Sequence, residues 1–88
     1  MFRLWGKLIK DNRLTNDFVI EDSSDDTRTH KILYAVDALC TKFDIAHPIW
    51  FENNVRDFKR FNKVRFNSDN FIHHFEYDYF EIQVIEED

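Results

Sequence analysis

Apolar and polar residues segregate most clearly between Ser24 and Asp44. Ile32, Leu33, Val36, Leu39, Cys40 and Phe43 fall within an arc of about 120° when wound at 3.6 residues per turn. Arg28, Lys31, Tyr34, Ala38, Thr41 and Lys42 lie off that arc. The pattern predicts an amphipathic helix with its apolar stripe toward a core. Before it, Phe2 to Lys10 reads as a strand with apolar residues in both phases: Phe2, Leu4 and Leu8 in one, Trp5 and Ile9 in the other. Arg13 to Glu21 alternates more cleanly, with Leu14, Phe18 and Ile20 sharing one face. Asp11-Asn12 between them suits a two-residue turn, because Asp and Asn tolerate positive φ. The two runs are therefore expected to form an antiparallel hairpin.

The run Glu21 to Asp26 is acidic. It lacks the glycine and the spaced final Glu of a calcium loop, so its expected role is to cap the helix through Ser24, Asp25 or Asp26. After the helix, Pro48 ends the helical register, and Ile49-Trp50-Phe51 forms an apolar knot expected in the core or as a lid on the helix edge. Glu52 to Asn62 predicts a second helix with Phe51, Val55, Phe58 and Phe61 along one side. Lys63 to Phe66 reads as a short strand or extended connection. Asn67 to Asn70 reads as a turn that could cap a helical turn over Phe71 to His74. Tyr79 to Glu86 is the last strand, with Phe80, Ile82 and Val84 on one face, and Glu86-Glu87-Asp88 keeps its end solvated.

These elements predict a small α+β domain: one mostly antiparallel sheet of three or four strands with two helices packed on one face. The length of 88 residues fits one core, so a single domain over 1–88 is expected. Ten Phe, three Tyr and two Trp can fill that core without metal or disulfide staples. The one cysteine, Cys40, has no internal partner and sits in the helix arc, which favours a buried thiol and a reduced, cytoplasmic setting. Residues 1–10 lack the apolar run of a secretory leader, and no stretch nears the roughly 20 apolar residues that span a bilayer.

Charge adds one candidate surface. Residues 56–66 hold Arg56, Lys59, Arg60, Lys63 and Arg65 against the single acid Asp57, in a chain of net charge −5. Cations interleaved with Phe58, Phe61 and Phe66 could track phosphates and stack on bases, although a solvated or protein-contacting helix face has the same composition. A second cluster, His73-His74-Phe75-Glu76-Tyr77-Asp78, would align His74, Glu76 and Asp78 on one side if extended. Such a row seldom completes a metal site alone, and the plain expectation is a polar surface. No cofactor motif is present. A chain with one glycine cannot build a glycine-rich phosphate loop, and no nucleophile elbow or Cys–His arrangement is visible. The chain is expected to be no enzyme.

Four stretches carry a resemblance: Met1 to Lys7, Asp26 to Lys31, Lys59 through Ile72, and Asp78 to Asp88. Together they resemble a family of small uncharacterised proteins from Firmicutes, chiefly clostridial relatives. The likeness implies a complete single domain and brings no activity or cofactor; the family tends to be acidic where this chain has His73-His74. The expectation is thus a cytoplasmic interaction module with an unknown protein partner and no membrane association. The C-terminal strand, if at a sheet edge, could also pair two copies into a homodimer. The alternative is a nucleic-acid-binding module using the basic residues of 56–65.

Overall fold

A computed structural model describes residues 1–87. Four strands form one antiparallel sheet in the order β2-β1-β4-β3: β1 Phe2–Lys10, β2 Arg13–Asp22, β3 Lys63–Phe66 and β4 Tyr79–Glu86. Helix α1 spans Arg28–Phe43 and α2 spans Glu52–Phe61. The predicted α+β architecture, with a four-stranded antiparallel sheet and two helices, is what forms. Alternation along the strands explains the layers. Phe2, Leu4 and Leu8 of β1, Val64 and Phe66 of β3, and Phe80, Ile82 and Val84 of β4 are buried on one face under both helices. The other face is open and carries Trp5, Lys7 and Ile9 beside Tyr79, Glu81 and Gln83.

The single glycine has a steric task. Gly6 lies beneath Leu39 of α1, and a Cβ at this position would stand 2.6 Å from Leu39 Cδ1. Left-handed turns fall to Asx residues instead: Asp11 and Asn12 in the hairpin, Asp44 closing α1 and Asn62 closing α2 all have φ between 53° and 62°. Short polar side chains can hydrogen-bond locally and tolerate this region, so the chain turns sharply without further glycine.

Several expectations need correction. α1 starts at Arg28, and its cap is Thr27 rather than Ser24, Asp25 or Asp26; Thr27 Oγ1 accepts from His30 N–H at 3.2 Å. The acidic run makes its own local turns, with Asp22 accepting from Ser24 N–H and Asp26 from Thr27 N–H. The buried stripe of α1 is Lys31, Ile32, Ala35, Val36, Leu39 and Cys40, which is the predicted arc turned by about 50° at 100° per residue. That turn places the stripe over β1 and β2 and leaves Leu33 half exposed. In β2, a bulge opposite Leu8 and Ile9 pairs Leu14 with Ile9, so Leu14 leaves the face of Phe18 and Ile20. The C-terminal strand β4 lies inside the sheet, between β1 and β3, and the edges are β2 and β3. Any edge pairing of two copies through β4 is thereby ruled out. The helical turn of the 67–74 segment sits at Ser68–Asn70, not at Phe71 to His74, because Asn67 accepts from Asp69 N–H and Asn70 reaches back to Asn67 N–H. Of the terminal acids, Asp88 lies outside the described residues.

The apolar knot divides. Trp50 packs edge-on against Phe66 at 4.9 Å and Phe58 at 5.7 Å, tying α2 to the sheet, while Ile49 and Phe51 stay partly exposed. α2 buries only Asn54 and Phe58; Val55 and Phe61, predicted inward, are exposed. The four-residue edge strand β3 beneath α2 is too short to cover a wider stripe. Asn54 and Asn70 anchor this end. Asn70 Nδ2 donates to Asn54 Oδ1 and to the Ile49 carbonyl, both at 2.8 Å, and Asn54 Oδ1 also accepts from Phe51 N–H.

Candidate functional site

α1 lies over β1 and β2, whereas α2 lies over β3, and Trp50, packed on Phe58 and Phe66, lines the gap between the helices. The gap opens as a cleft of about 220 Å³. Its walls are Arg28, Thr29, Ile32 and Leu33 from the first half of α1 and Val55, Phe58 and Lys59 from α2. Each enters for a local reason. Leu33 and Val55 sit at the margins of their helices' buried stripes, so both turn apolar surface to the gap; they are 51% and 39% exposed. Lys59, one turn beyond Val55, places a cation on the rim. Arg28 stands at the opposite rim, with its guanidinium 5.4 Å from the Phe58 ring, donating to Glu87 and to Asn62 Oδ1. A shallower continuation over the outer side of α2 is bordered by Glu52, Arg56 and Arg60. The result is an apolar floor with a rim that is mostly cationic.

The sequence-predicted basic residues are only partly gathered. Arg56, Lys59 and Arg60 share the outer side of α2 and all are exposed. Arg56 makes a long contact of 3.9 Å with Asp57, and Arg60 lies over the Phe61 ring. Lys63 and Arg65 belong to β3, whose inward positions are Val64 and Phe66, so they project on the other side of the sheet. Arg65 is engaged there: its Nε donates to Glu81 at 2.9 Å and its guanidinium covers the Tyr79 ring. Leu33, Trp50 and Arg28 were not among the predicted site residues. Their signal was faint, a leucine at the edge of an apolar arc and an arginine at a helix start.

The open sheet face has its own polar centre. Glu81 is 5% exposed and bridges Lys7 Nζ at 2.6 Å and Arg65 Nε at 2.9 Å. Burial pushes its carboxyl up, but the bonds from Arg65 and Lys7 and their positive charges outweigh burial and hold it below the ordinary carboxylate range. Lys7 also lies 3.8 Å from the Trp5 ring, whose Nε1 donates to Asp17. These pairs satisfy one another, which marks a structural network rather than a waiting site.

The histidine segment is irregular rather than extended. His73 and His74 are exposed, Glu76 faces Lys10 at 3.7 Å, and Asp78 accepts from Asn12 N–H in the hairpin turn. Among the described residues no group of three His, Cys, Asp or Glu side chains converges as metal ligands would. Cys40 is buried in the core, and burial, with Asp37 nearby, pushes its thiol up to about 12. No helix is long and apolar enough to cross a membrane. No protein-family model, curated protein or solved structure matches the chain.

Proposed function

We propose that this chain is a small cytoplasmic, non-enzymatic interaction module that docks another protein through the cleft between α1 and α2. One observation carries the reading: Leu33 and Val55 remain substantially exposed beside Trp50 and Phe58 in a recess, because the sheet beneath their helices is too narrow to cover them. Recessed apolar surface with a polar rim is the usual form of an interaction site.

Self-association through a sheet edge has less support. The free edge strand β2 carries a bulge and the charges Asp17 and Glu21, all features that discourage edge pairing. Nucleic acid has support only from the exposed trio Arg56, Lys59 and Arg60, since Lys63 and Arg65 project elsewhere. The test is affinity capture from extract of the expressing cells, with and without nuclease, comparing the native chain with Leu33→Glu/Val55→Glu. A specific protein retained through nuclease and lost with the double variant supports the reading. Identical capture by both chains overturns it, and capture that disappears with nuclease and with Lys59→Glu/Arg60→Glu assigns the surface to nucleic acid instead.

A further inference from the structure

Resting on that reading, we infer that the occupant of the cleft is an amphipathic helix of the partner whose apolar stripe is flanked by acidic residues. Shape selects a helix. The walls are two helices, and the residues that line the cleft run from Arg28 to Leu33 on α1 and from Val55 to Lys59 on α2, about 6–8 Å along each. That length takes one to two turns of a docked helix, presenting anchors at i and i+3 or i+4. The floor of Ile32, Trp50 and Phe58 takes the anchors, and Leu33 and Val55 flank them.

Charge selects the acidic flanks. Lys59 lies on one rim and Arg28 on the other, with Arg56 and Arg60 extending the cationic side. Lys59 forms no ion pair among the described residues, and Arg28 is joined to Glu87, an exchange a partner carboxylate could make. Glu52 is the one acid bordering the cleft's extension. A cationic rim in a chain of net charge −5 is a local departure from the average, and like-charge rejection of basic helices follows from it. A membrane surface shares the anionic character but is met by protruding apolar residues, whereas Trp50 and Phe58 here lie at the bottom of a recess.

The experiment uses fluorescently labelled amphipathic helical peptides of about fourteen residues with leucine anchors at the spacing above, flanked by Glu in one panel and by Lys in the other. Anisotropy should show the Glu-flanked panel binding about tenfold more tightly, through two or three exposed rim ion pairs. Lys59→Glu should erase most of that preference, and Leu33→Glu/Val55→Glu should abolish binding by both panels. Both substituted positions are exposed, so the fold should persist, and circular dichroism checks it. Should the double variant fail to fold, Lys59→Glu/Arg56→Glu with the Lys-flanked panel still reads the preference, which should invert. Equal binding of the panels, or no binding of either, overturns the acidic-helix inference while leaving capture through the cleft to stand or fall on its own assay. Binding to phosphatidylserine vesicles that the Glu-flanked peptide does not displace overturns it in favour of a lipid surface.

Discussion

Gly6→Ala should destabilise the domain by packing conflict rather than by backbone strain. Gly6 has no positive φ, so alanine meets no conformational penalty there. The new Cβ would lie 2.6 and 2.7 Å from the two Leu39 methyls and 3.1 Å from Cγ. Carbon atoms normally rest at ~3.5–4.0 Å, so the overlap is on the order of 1 Å. Leu39 is fully buried, so its methyls cannot swing away without displacing other core side chains. Overpacking of this kind costs about 1–3 kcal/mol, offset by ~0.5–1 kcal/mol because alanine loses less chain entropy than glycine in a strand. The expected net loss is about 1–2 kcal/mol in urea denaturation followed by circular dichroism, or a fall in Tm of roughly 4–8 °C per kcal/mol for a chain of this size. The decisive measurement is the double-mutant cycle. Leu39→Ala alone should cost about 2–5 kcal/mol by opening a cavity. In Gly6→Ala/Leu39→Ala the new methyl occupies part of that space, and the double variant should be more stable than the sum by ~1–2 kcal/mol. Additivity within about 0.5 kcal/mol would refute the packing argument and locate the effect of Gly6 elsewhere.

Asn12→Gly should stabilise the hairpin by a few tenths to ~1 kcal/mol, because φ of 62° suits glycine and the bond to Asp78 uses only the residue-12 N–H; a lower urea midpoint would count against it. Glu81 is held below its ordinary range, so its stabilisation is present above the unfolded-state pKa and is lost as pH falls through the folded value. Glu81→Gln should therefore lower stability by ~1–3 kcal/mol at pH 7 and flatten the acid limb of the stability curve, and an unchanged acid limb would exclude Glu81 as its source. Buried and with its thiol pushed up to about 12, Cys40 should react with a thiol reagent far more slowly in the folded than in the unfolded chain at pH 8. Equal labelling rates would show that the α1 seam opens readily. Asn70→Ala should cost ~1–3 kcal/mol by orphaning the Ile49 carbonyl and loosening Asn54, measurable by the same denaturation.

The cleft was the least legible part of the chain, and particular residues show why. Leu33 falls within the α1 apolar arc and Val55 within the α2 arc, so periodicity counted both as core. Periodicity reports which side of a helix is apolar, but not how wide a surface waits to cover it. α2 meets a four-residue strand and α1 meets the β1–β2 half of the sheet, so each stripe is wider than its cover and the excess faces the gap. The basic residues had the opposite history. Their clustering in sequence was plain, yet the chain passes from helix to strand at Asn62, and that turn sends Lys63 and Arg65 away from Arg56, Lys59 and Arg60.

Local rules were enough for the elements whose causes are local. The Asx turn at Asp11-Asn12, the strand over Tyr79–Glu86, the helix containing Ile32 to Phe43 and the burial of Cys40 follow from φ tolerance and apolar spacing within a few residues. The tertiary structure alone decided strand order, the rotation of α1 onto β1 and β2, the bulge that turns Leu14 from its neighbours, and the space between the helices. Those depend on contacts between residues far apart in the chain, such as Leu39 on Gly6 or Trp50 on Phe66, whose energies no local pattern encodes.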